Sequence, residues 1–137
     1  MTPRIVLDTN VVVSSALKAR SFPGRVVDAV FDGRCGLVLC DDVLAEYREV
    51  LLRPKFGLSS RAVNDFVDGL AALGEYLDVA HVPDGTLLPD PKDVVFYELL
   101  LGASRLGDAW LVTGNGKHFP QRENILSPHE FCELFGL

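Results

Sequence analysis

The chain has 137 residues, 48% hydrophobic and 23% charged, the length and balance of one soluble domain able to bury a core. A formal net charge of −6 and a pI near 4.9 exclude a protein that holds nucleic acid through broad positive potential. Two readings of the charge remain: an acidic metal site inside a small cleft, or an acidic surface covered by a basic partner.

No apolar run approaches the ~18 residues of a membrane span. Nor does the N-terminus combine a basic segment, an apolar segment and a small-residue cleavage site, so a cytoplasmic protein with no membrane contact is expected. Cys35, Cys40 and Cys132 form an odd set that reads as small core thiols, since no nearby pair of His or Cys completes a zinc set.

In chain order, Ile5, Val6 and Leu7 make a continuous apolar run, the pattern of a strand buried on both faces. It ends in Asp8, although burying an unpaired carboxylate costs several kcal/mol. Thr9 and Asn10 follow, and then a second apolar run of Val11, Val12 and Val13. "SFPGRVVDAVFDGR" predicts a helix with Ser21 as N-cap and Gly33 past its end. "CGLVLCD" predicts a second short strand. The helix after it carries Val43, Leu44, Tyr47, Val50 and Leu51 in one apolar arc and is ended by Pro54.

"LSSRAVNDFVDGLAALG" predicts a helix capped by Ser59 or Ser60 and stopped at Gly74. "EYLDVAHV" reads as a strand. The next helix has Asp90 at N-cap, Pro91 at N1 and Asp93 at N3, and is apolar nearly all round. "AWLVTG" is a strand, and "NILSPHEFCELFG" gives a last short strand and a helix with capping-box spacing between Ser127 and Glu130. No repeat or linker divides residues 1–137, so one domain is expected. The alternation predicts an α/β fold with helices on both faces of a central, mostly parallel sheet, three layers in all. Ligands of such sheets gather outside the carboxyl ends of the strands, where Asp8 and Thr113 both fall.

Four polar residues are placed to meet at that edge: Asp8, Glu46 at the boundary of its helix's apolar arc, Asp93, and Asn115. Each has a plainer account alone. Asp8 can close an Asx turn, Glu46 can be solvated, Asp93 suits the helix dipole, and Asn115 suits a turn. Lys117 and His118 can reach a phosphate or serve solubility. Arg48, Arg53, Lys55 and Arg61 can touch an RNA backbone or form a solvated face.

Taken together, the stretches "IVLDTNVVVSSAL", "VLAEYREVLLRPKF", "DPKDVVFYELLLGASRLGDAWLVTGN", "KHFP" and "ILSPHEF" resemble the PIN-domain ribonucleases, especially the toxins of prokaryotic toxin–antitoxin pairs. That resemblance implies a PIN-like fold and cleavage of single-stranded RNA. It assigns Asp8, Glu46 and Asp93 as catalytic acids holding Mg²⁺ or Mn²⁺, with Asn10 and Thr113 as supporting residues. Asn115 stands where many members carry a fourth acid, and supplies an amide oxygen or a water contact instead. Lys117 and His118 are the expected substrate contacts. An antitoxin and a second copy of the chain are the implied partners. A PIN-like module that binds RNA or protein without efficient cleavage is the alternative. A haloacid-dehalogenase type of phosphoryl transfer would want an acid two residues after Asp8, where Asn10 stands.

Overall fold

A computed structural model describes residues 2–78 and 88–137. Five strands, β1 (Arg4–Leu7), β2 (Gly36–Leu39), β3 (Glu75–Tyr76), β4 (Ala109–Val112) and β5 (Ile125–Leu126), form one sheet in the order β3-β2-β1-β4-β5. Every pairing is parallel. Six α-helices accompany them among the described residues: α1 (Thr9–Leu17), α2 (Phe22–Phe31), α3 (Asp41–Leu51), α4 (Ser60–Leu73), α5 (Val94–Ser104) and α6 (Pro128–Phe135). None is long and apolar enough to cross a membrane.

β1 is the middle strand, and Ile5, Val6 and Leu7 are fully buried, as their unbroken apolar run requires. The chain steps from β1 to β2 to β3 in one direction and returns past β1 to β4. Right-handed crossovers put the helices of the two directions on opposite faces. Thus α5 packs on β4, β1 and β2, while α1, α2, α4 and α6 pack among themselves on the other face. The result is the three-layer α/β/α arrangement. α3 touches α1, α4 and α5, and so joins the two outer layers.

The helix boundaries follow local chemistry. Ser21 and Ser59 accept hydrogen bonds from the Gly24 and Ala62 amides at 3.2 and 3.1 Å. Ser127 and Glu130 form the expected reciprocal capping box. In α3, Val43, Tyr47 and Leu51 are buried, with Leu44 and Val50 half-buried at the edges of the arc. The three cysteines are buried and free, and burial pushes the Cys35 thiol up to about 11.

Three elements differ from the sequence reading. The run of Val11, Val12 and Val13, to which the sequence reading gave no element, belongs to α1, because Asp8 turns the chain out of β1 and the valines are buried in the helix that follows. Of the strand expected over 75–82, Glu75–Tyr76 pairs with β2 among the described residues. The Leu77 amide adds a bond to the Leu39 carbonyl at 2.9 Å, and 79–82 lie outside the described residues. Asp90 caps a 3₁₀ turn, Pro91–Asp93, that leads into α5, and its Oδ1 accepts from the Lys92 amide at 2.9 Å.

Gly24 shows how tightly α2 meets the turn before it. A Cβ there would lie 2.1 Å from the Ala19 carbonyl oxygen. Gly24→Ala is therefore expected to destabilise the protein by about 1–3 kcal/mol, seen as a lower urea midpoint at unchanged slope. An unchanged midpoint would mean that this turn yields freely.

Candidate active site

Asp8 sits where β1 ends, with extended backbone angles, φ −65° and ψ 148°. Its amide donates to the Val112 carbonyl at 3.0 Å, so the main chain is still tied to β4 at this residue. The side chain is buried, only 5% exposed. Its Oδ2 accepts from the Thr113 hydroxyl at 2.7 Å and from Asn10 Nδ2 at 3.3 Å. Asn10 Oδ1 in turn accepts from the Gly114 amide at 3.1 Å, and Thr113 Oγ1 from the Asn115 amide at 3.0 Å. The ends of β1 and β4 are thereby clamped side to side. Glycine at 114 suits this closeness, since a Cβ would lie 3.3 Å from Asn10 Oδ1.

The other acids arrive from separate elements. Glu46, half-buried on α3, accepts a short hydrogen bond from the Thr9 hydroxyl. Asp93 stands where the 3₁₀ turn passes into α5. Its Oδ2 lies 3.2 Å from Nδ1 of His118, in the 3₁₀ turn Gly116–His118 that follows β4. Asp8, Asn10, Glu46, Asp93, Asn115 and His118 line one cleft of about 300 Å³, and Arg53 and Lys92 line it too. Thr113 is buried behind Asp8. Lys117 lines a neighbouring depression with Arg122. Much of the basic stretch of α3 and α4 is occupied locally: Arg48 with Asp68, Arg53 with Glu49, and Arg61 with Asp65.

Two residues at this site were not singled out from the sequence. Thr9 holds Glu46, and Tyr47 donates a hydroxyl hydrogen bond to the Leu7 carbonyl. Thr9 lies inside the quoted "DTN", but a threonine at a helix start carries no signal of a partner 37 residues away. Tyr47 was legible only as a member of the apolar arc.

Burial raises the Asp8 carboxyl to about 6, and the charges of Asp93 and Glu46 add to the rise, against the Thr113 hydroxyl and the Thr9 amide. Asp93 is raised as well, by burial and then by Asp90, with His118 opposing. In both, burial of the carboxyl is the leading cause and the charge of neighbouring acids adds to it. Complete burial, and then the Asp8 charge, push the Tyr47 phenol well above its ordinary value, so it remains a donor.

A carboxyl whose pKa is higher in the folded state binds its proton more tightly there. Folding stability is then greatest while the group is protonated and declines as pH rises from about 4 to about 6. For Asp8 the loss is at most about 3 kcal/mol. In chelator at pH 7, Asp8→Asn is therefore expected to melt above the wild type, with the advantage gone near pH 3.5. A mutant that melts lower at pH 7 would make Asp8 a net stabilising hydrogen-bond acceptor.

A PIN domain family model matches residues 4–117. The chain belongs to the PIN domain family, whose members are generally nucleases that use divalent metal ions. Among solved structures, the chain is similar to one in the crystal structure of VapBC2 from Rickettsia felis bound to a DNA fragment from their promoter. The TM-score is 0.61 at 17% identity, over 90% of this chain and 97% of that one. No curated protein matches the chain.

The donors in the cleft suit such an ion in kind. They are carboxylate and amide oxygens, the set preferred by hard divalent cations. Their placement is less converged. Each acid is engaged by its own partner, and among the described residues no three His, Cys, Asp or Glu side chains stand together as a finished ligand cluster.

Proposed function

We propose that the protein is a divalent-metal-dependent endoribonuclease that cleaves single-stranded RNA and acts as the toxin of a toxin–antitoxin pair. The observation that carries the reading is the meeting of Asp8, Glu46 and Asp93, from β1, α3 and the start of α5, in one cleft at the carboxyl end of the sheet. The partner half rests on the fold likeness to VapBC2, a toxin–antitoxin complex. A cytoplasmic homodimer neutralised by a cognate antitoxin belongs to the same proposal.

Asp8, Glu46 and Asp93 would hold Mg²⁺ or Mn²⁺, with Asn115 giving an amide oxygen or a water contact. The ion, when bound, supplies positive charge to a phosphodiester oxygen and lowers the pKa of an attacking water. The chain's own residues do the rest. Asp8 is held rigidly by Thr113 and Asn10 through Oδ2, so its carboxylate keeps one direction. His118 orients Asp93 through Nδ1 and leaves Nε2 for a phosphate. Arg53 and Lys92 put positive charge among the acids, where a polyanion must come close. Lys117, in the adjoining depression, extends that contact along the strand.

A second reading has one observation in its favour. Asn115 is exposed in the cleft and brings no charge where a fourth acid would. A module that binds RNA or protein with little cleavage follows if the remaining acids hold the ion too weakly.

Purified protein is expected to cleave single-stranded RNA with Mn²⁺ or Mg²⁺ and to stop in chelator. Loss of an outer contact to a metal site typically costs ~10–100-fold, so Asp93→Ala, which removes a proposed ligand, is expected to cost more than that. Cleavage at the wild-type rate in Asp93→Ala would place the activity elsewhere. No metal-dependent cleavage by the wild type would favour the binding module. Asn115→Asp adds a negative charge and is expected to tighten Mn²⁺ binding in a calorimetric titration. Equal or weaker affinity would remove Asn115 from the ion's surroundings.

A further inference from the structure

We propose that Tyr47 is a positioning residue for the acid cleft, setting the distance between Asp8 and Glu46 through its hydroxyl contact with the Leu7 carbonyl. The inference rests on the metal-dependent reading of the cleft and adds to it a residue outside the cleft itself. Glu46 and Tyr47 are consecutive on α3, and their side chains bond to Thr9 and Leu7, the two residues that bracket Asp8. One turn of helix is thus pinned to both sides of the aspartate.

The strand geometry explains why a tyrosine is suited here. Asp8 points its amide toward β4, so Leu7, one residue earlier, points its carbonyl to the other side, toward β2. Pairing between β1 and β2 is carried by Arg4 and Ile5, whereas pairing with β4 continues to Leu7. The Leu7 carbonyl therefore emerges where β1 and β2 part. It is buried, and a buried carbonyl needs a donor. Tyr47, fully buried and packed near Phe96 of α5, reaches it from α3. The phenol is long and stiff, with two side-chain torsions, so it fixes a separation where a flexible donor would only satisfy a carbonyl. α3 supplies Glu46, and the helix cannot shift along β1 without breaking this contact. The pairing of consecutive contacts also couples them: movement at Tyr47 displaces Glu46 from Thr9.

Tyr47→Phe keeps the ring and removes only the hydroxyl. Mn²⁺ alone is the calorimetric probe, with wild type, Asp8→Asn, Tyr47→Phe and Val67→Ala compared well below their melting temperatures. Val67 is buried on α4, away from the cleft, and its truncation reports what destabilisation alone does to ion binding. Tyr47→Phe is expected to bind Mn²⁺ at least about tenfold more weakly than wild type, with Val67→Ala binding as wild type does.

A double-mutant cycle of Tyr47→Phe with Thr9→Val, followed by urea unfolding in chelator, needs no ion. The two changes are expected to be non-additive by about threefold or more in the unfolding equilibrium constant. Wild-type Mn²⁺ affinity in Tyr47→Phe, an equal loss in Val67→Ala, or additivity in the cycle would each overturn the positioning role. If wild type and Asp8→Asn bind Mn²⁺ equally, the metal-dependent reading falls by itself, and the cycle alone decides for or against Tyr47.

Discussion

A carboxylate withdrawn from water at the end of the central strand is the constraint around which this protein is arranged. Asp8 cannot be buried without donors, and the chain supplies them from two directions: Thr113 across the sheet and Asn10 two residues on. Both sit on one oxygen, Oδ2, which leaves the other with neither of these donors. Satisfying Asp8 also clamps the ends of β1 and β4, so the cost of burial and the rigidity of the site have one origin. The raised Asp8 carboxyl shows that these donors do not fully offset burial and the neighbouring acids. In the function proposed above, that residual imbalance is what the bound cation would relieve.

The remaining acids are brought in by helices that the sheet topology places at the same edge. Parallel strands end together, and the segments leaving their carboxyl ends, α3 after β2 and the turn after β4, start beside one another. Asp93 comes from the segment entering α5, whose apolar circumference lets it lie flat on β4, β1 and β2. Each acid then finds a separate local partner, Thr9 for Glu46 and His118 for Asp93. The arrangement is gathered but not closed, and holding each acid on its own partner limits mutual repulsion.

Much of this was legible in the residues. The apolar run stopping at an aspartate marked β1 and its end, the serine caps and the capping box marked helix starts, and the boundary position of Glu46 in its apolar arc was found as expected. Membership of the PIN domain family confirmed what the five separated stretches suggested. What escaped has physical reasons. Three successive valines carry strand preference, and only packing beneath α2 and α3 makes them helical in α1. Thr9 and Tyr47 act on partners far away in sequence, and their periodicity reports burial but not the destination of a hydroxyl. The strand order, which sets which loops are neighbours, leaves no mark in local pattern.

The central claim is that Asp8, Glu46 and Asp93 form one cation site. The most direct measurement is a crystal structure grown with Mn²⁺, read by its anomalous scattering. The account predicts an anomalous peak in the cleft with Asp8 and Asp93 around it, and Glu46 turned from Thr9 toward the ion or a water on it. An ion bound elsewhere, or a cleft that stays empty at saturating Mn²⁺ with Glu46 still on Thr9, would contradict it.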